Sequence, residues 1–126
     1  ARMAFNSSAA LAERGFEHPP ARRLPVDLNH LHNQTFGDRK LQREVLRLFV
    51  LHSADQIERL RAAIAPEERR EAAHALGGSA RGVGAFSVAY IAAEIELSRG
   101  PIVGRLKALD AAIVAAQGFI RDFLAE

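Results

Sequence analysis

Arg69-Arg70-Glu71-Ala72-Ala73-His74-Ala75-Leu76-Gly77-Gly78-Ser79-Ala80-Arg81-Gly82-Val83-Gly84-Ala85-Phe86 is the stretch that decides how the rest of the chain is arranged. Projected on a helix at about 100° per residue with His74 at zero, Ala72, Ala73, Leu76, Ala80 and Val83 fall between about 160° and 260°. Those five make a single apolar stripe of the kind that faces a core. Arg70, Gly77, Gly78 and Arg81 fall within about 60° of His74, on the opposite side. The segment is therefore expected to turn His74 outward, between two bare glycines and two arginines. Glycine inside a helix costs about 0.8–1 kcal/mol relative to alanine, so a glycine-rich exposed face is a poor choice for stability alone. It leaves room for something large to approach the imidazole.

Outward from this stretch, the chain divides into further helices. Pro66 with Glu67 and Glu68 suits the first turn of the central helix, and Gly84-Ala85-Phe86 its closing turn. Before it, Asp38 is placed to cap a long helix to about Ile64, with Leu41, Val45, Leu48, Phe49, His52, Gln56, Leu60 and Ile64 as its expected core stripe. Asp27 caps a short helix through Leu28, Leu31 and Thr35 that ends at Phe36-Gly37. After it, Ser87 is expected to cap a fourth helix through Val88, Ile91, Ala92, Ile95 and Leu97, stopped by Gly100-Pro101. The last helix carries Ile102, Leu106, Leu109, Ile113, Ala116, Ile120 and Leu124 on one stripe. Four useful helices with short connections predict an all-α, antiparallel four-helix bundle over 27–126, with an extra short helix at one end. Residues 1–26, with His18-Pro19-Pro20 and Leu24-Pro25, read as an N-terminal arm and connector, including a short helix from Ser7 or Ser8 to Arg14.

Composition narrows the function. The chain has 126 residues, 17 basic against 15 acidic, and no cysteine. That excludes a disulfide scaffold and thiolate metal sites and suits the cytoplasm. No apolar run approaches the roughly 20 residues of a membrane span. Arg43, Arg47, Arg59, Arg61, Arg69 and Arg70 alternate with acids and no aromatic interleaves them, so nucleic-acid binding is unsupported. Gly77 to Gly82 has no following Lys-Ser/Thr and no preceding strand, so it is no phosphate loop. Of the histidines, His30 and His32 are two apart and point in different directions. His18 lies in the connector and His52 on or beside a core stripe. Only His74 is set opposite its own core face. A neutral ring nitrogen with arginines on either side is suited to accept a phosphoryl group, whose oxygens the guanidinium fork matches.

The run from Ala73-His74-Ala75-Leu76-Gly77-Gly78-Ser79-Ala80 to Val83-Gly84-Ala85 resembles the signature of histidine-containing phosphotransfer (HPt) domains. Leu76, Gly78, Ser79, Ala80 and Gly84 stand at the family's characteristic places after the histidine. Val26-Asp27-Leu28, Gly37-Asp38 and the long helix with Phe49 extend the likeness over residues 27 to 126. The resemblance implies a phosphorelay intermediary. His74 would accept a phosphoryl group from the aspartate of a response-regulator receiver domain and pass it to another receiver. It implies no ATP site and no cofactor of its own, the magnesium ion belonging to the receiver. The implied partners are receiver domains and hybrid sensor histidine kinases, met by a cytoplasmic monomer away from membranes. Docking would use Arg70, Ala75, Gly77 and Gly78 around His74.

One position departs from the pattern. Where the family usually carries lysine, three residues after the histidine, this chain has Gly77. Arg81, on the same face and longer, is read as its replacement in stabilising phosphoryl charge. The alternative is a degenerate HPt-like module that docks receivers or kinases without transfer. A third reading is a bundle that dimerises through an apolar face and has no signalling role.

Overall fold

The computed structural model describes residues 24–126, which form five helices: α1 (Leu28–Gln34), α2 (Arg39–Ala62), α3 (Pro66–Val83), α4 (Phe86–Leu97) and α5 (Val103–Ala125). There is no strand among the described residues. The expected helix at Ser7–Arg14 and the rest of the arm to residue 23 lie outside the described residues. Helices α2 to α5 run up and down as an antiparallel bundle, with α2 against α3, α3 against α4, α4 against α5, and α5 back against α2. Helix α1 covers one end, against α3.

The starts and stops have local causes. Asp27 Oδ1 accepts the N–H of His30 at 3.1 Å, and Asp38 Oδ1 accepts that of Leu41 at 3.1 Å. Each satisfies a donor the helix leaves open. Helix α3 has Ala65 at its N-cap and Pro66 next, and Glu68 Oε1 reaches back to the N–H groups of Ile64 and Ala65, both at 3.2 Å. Its far end closes on Gly84 at φ 86°, a left-handed cap. A β-carbon at Gly84 would stand 2.8 Å from the Asp27 carbonyl oxygen. The Asp27 N–H donates to the Gly84 carbonyl at 2.9 Å. Through this pair the chain entering α1 is stitched to the turn between α3 and α4. Val26, assigned from the sequence to the connector, is fully buried in the core.

The expected stripes hold for α3 and α5. Ala72, Ala73, Leu76, Ala80 and Val83 are buried, as are Ile102, Leu109, Ile113, Ala116 and Ile120, with Leu106 and Leu124 packed partly against them. The stripe expected for α2 holds at Phe49 and Leu60, with Val45 and Gln56 half-buried, and is otherwise out of phase. Its buried face is Gln42, Leu46, Phe49, Ser53, Ile57 and Leu60, whereas Leu41, Leu48, His52 and Ile64 are exposed. Two polar residues in the true seam disguised it. Ser53 is accommodated because its hydroxyl donates to the Val50 carbonyl at 3.1 Å. Two further corrections concern α4: it begins at Phe86 after an Ala85 cap, so Ser87 does not cap it, and Leu97 is exposed. The seam between α2 and α5 is closed by Arg43, which donates to the Leu124 carbonyl at 2.6 Å, and by the Arg61–Asp110 ion pair.

Candidate functional site

His74 stands in the middle of α3 on the flank of the bundle, with its side chain 71% exposed. The helix phase accounts for this, since Ala73 and Leu76 on either side are buried completely. Across the hairpin turn, α4 brings up Glu96, whose Oε2 lies 2.9 Å from His74 Nδ1. An ionised carboxylate only accepts hydrogen bonds, so the proton must sit on Nδ1 and be donated to Glu96. In the neutral ring Nε2 then keeps its lone pair, on the side away from that partner. Of the two neutral tautomers, the contact favours the one with its proton on Nδ1.

Gly78 lies one turn beyond His74, and a β-carbon there would meet nothing within 4 Å; the same holds for Gly82. Ala75 is exposed beside them. These residues leave the approach to the imidazole clear. Gly77 does something else. It was expected on the docking face, but it is buried. A β-carbon at that position would lie 3.7 Å from the β-carbon of Ala92 on α4 and 3.5 Å from Arg81 Nη1. The physical reason is that its position, about 60° round from His74, falls on the seam with α4 and not on open surface. Gly77 thus lies in the seam between the two helices, under the Arg81 guanidinium, where a β-carbon would make ordinary contacts.

Arg81 is exposed, and its guanidinium folds back one turn toward the N-terminus to lie over Gly77. This follows the direction in which long helical side chains lean. It brings positive charge from two turns below His74 to the level of the next turn. Arg70, one turn on the other side, is exposed and borders a hollow of about 570 Å³ that Glu96 also lines. Of the residues singled out from the sequence, the structure gathers His74, Ala75, Gly78, Arg70 and Arg81 on one flank. It withdraws Gly77 into the seam and adds Glu96.

Glu96 was missed because no spacing within one helix points to it. Register across the hairpin does. His74 and Glu96 each lie eleven residues from Ala85, so antiparallel helices joined at that turn set them abreast.

No curated relative and no solved structure matches the chain. A family model does: the one described as Hpt domain matches residues 44–125, about two thirds of the sequence, His74 and Glu96 included. The exposed histidine, the open glycine face and the all-helical bundle agree with that match, and the chain belongs to the Hpt domain family, whose general role is histidine phosphotransfer in phosphorelays.

Proposed function

We propose that His74 takes a phosphoryl group on Nε2 from the aspartyl phosphate of a receiver domain and hands it to the aspartate of a second receiver. The observation that carries this reading is the exposed ring whose Nδ1 is engaged by Glu96 at 2.9 Å. A nucleophile needs a free lone pair, and the partner on Nδ1 puts that lone pair on the outer nitrogen.

The step balances as follows. The Nε2 lone pair forms the N–P bond while the acyl P–O bond breaks, and its electrons return to the donor carboxylate. The ring, still carrying the Nδ1 proton, becomes cationic, and the Glu96 carboxylate faces that charge. Arg81 supports the phosphoryl oxygens. The magnesium ion for the step is held by the receiver. Phosphoryl transfer depends mainly on positioning and charge, so an intermediary needs little more than this. In this reading the domain has no ATP site, works as a monomer in the cytoplasm, and meets receivers and hybrid sensor kinases at the face around Ala75 and Gly78.

Incubation with a phosphorylated receiver should leave acid-labile, base-stable phosphate on the protein, and His74→Gln should remove it. Label retained in that variant would refute the assignment. The second reading, docking without transfer, rests on Gly77 standing where the family carries lysine. Receiver binding with no movement of phosphate would favour it.

A further inference from the structure

The hollow beside Glu96 has three arginines and one carboxylate in its lining. It lies where the N-terminal end of α3 meets the link from α4 to α5, and Arg69, Arg70, Leu97 and Arg99 line it. Arg69 is spent on structure, its Nη2 donating to the Ser98 carbonyl at 3.3 Å and its Nη1 to that of Gly100 at 3.5 Å. Arg70 and Arg99 are exposed and have no hydrogen bond or ion pair among the described residues. The one carboxylate lining the hollow is Glu96, and it is occupied by His74. Leu97, which lines the same hollow as these two arginines, is 78% exposed.

We propose that Arg70, Arg99 and Leu97 form the partner-selecting part of the docking face, and that it fits a receiver bearing carboxylate side chains around an apolar spot next to its phosphorylated aspartate. The inference rests on the reading of His74 as phosphoryl acceptor. Its reach is a matter of size. Specific protein interfaces cover about 800 Å² on each partner, a disc of roughly 16 Å radius. Arg70 is one helical turn from His74, a rise of about 6 Å, so a receiver seated over Nε2 covers the hollow as well. An exposed Leu97 in a hollow lined by arginines has the composition of an interface anchor with a charged rim. Rim charges act chiefly on encounter rate and partner choice, and salt weakens them.

The test uses purified receiver domains of the source organism, phosphorylated with acetyl phosphate and ranked by the charge around their aspartate. The wild-type protein should draw phosphoryl groups fastest from the acidic ones. Arg99→Glu should slow those transfers about tenfold in low salt and reverse the ranking, with the gap closing near 0.5–1 M salt as the Debye length shrinks toward about 3 Å. Leu97→Ser should slow transfer by a factor that salt leaves unchanged. Replacing an acidic residue of the receiver by Lys should restore transfer to Arg99→Glu. Phosphoramidate, a small donor that needs no docking, separates the two ideas. If it labels His74 while Arg99→Glu leaves every receiver's rate and ranking unaltered, the selecting role is overturned and the acceptor role stands. Labelling by phosphoramidate with no transfer from any receiver overturns the selecting role too. If neither donor labels His74, the acceptor role itself fails.

Discussion

Arg81 and Gly77 are fitted to each other: Nη1 of the arginine lies 3.5 Å, and Nη2 3.8 Å, from the point where a side chain at Gly77 would begin. The guanidinium folds back over position 77, where a β-carbon would make ordinary contact with it and a longer side chain would compete for its space. If Arg81 replaces the cation that relatives carry three residues after the histidine, Arg81→Ala should slow transfer by about tenfold or more, a rise of about 1.4 kcal/mol in the barrier. Arg70→Ala should slow it less. Adding Gly77→Lys to Arg81→Ala should recover much of the rate, because the lysine then occupies the vacated space. Single-turnover transfer measured on the three proteins decides this, and equal small effects from both alanine variants would remove Arg81 from the mechanism.

Glu96 gives a second expectation. A hydrogen bond to a charged group is worth about 1.5–3 kcal/mol, and the lower end applies here because Glu96 is 34% exposed and His74 71%. Glu96→Ala should cut the transfer rate about tenfold with little change in receiver binding. Glu96→Gln should fall between, since an amide oxygen still accepts from Nδ1 but brings no charge. A nitrogen-15 spectrum of the imidazole is the direct check: the Nδ1–H form should dominate in the wild type and lose ground to the Nε2–H form in Glu96→Ala.

Gly78 tests access. A β-carbon there meets nothing within 4 Å, so Gly78→Gln should fold as well as the wild type. It should gain up to about 0.5 kcal/mol in helix propensity. The longer side chain should nevertheless stand in the path of a docking receiver and block transfer. Thermal melting together with transfer from a receiver would show a melting temperature held or raised and a rate lost.

Gly84 should behave in the opposite way. Its φ of 86° and the 2.8 Å approach to the Asp27 carbonyl leave no place for a side chain. Gly84→Ala should destabilise the bundle by about 2 kcal/mol or more, in the range of strained backbone positions. Denaturant melts would register it, with the loss spread over the whole fold because Asp27 and the α3–α4 turn are joined there.

The fold was legible from the sequence where each helix has one unambiguous apolar face. Helices α3 and α5 are of this kind, and Asp27, Asp38 and Pro66 announced their helix starts through groups that satisfy or need no backbone partner. Reading failed where a seam includes polar residues. Gln42 and Ser53 share the buried face of α2 with Phe49 and Leu60, so the more apolar positions Leu41 and Leu48 looked like core and are exposed. At the site, His74, Gly78 and Arg81 could be placed from the phase of one helix. Gly77 could not, because the width of the α3–α4 seam depends on both helices, and its edge runs close to His74. Glu96 lay beyond any single-helix pattern and required the hairpin register about Ala85.

Gly77 and Ala92, meeting across that seam, act as a spacer gauge for the contact between His74 and Glu96. Glu96 reaches His74 only while two helices bearing almost no bulk between them stay at arm's length. A residue as ordinary as leucine at 92 would prise α4 away and let the imidazole swing free, although every polar group of the reaction remained in place. Under the proposed transfer, competence in this domain is as much a property of what its smallest residues omit as of what its charged ones supply.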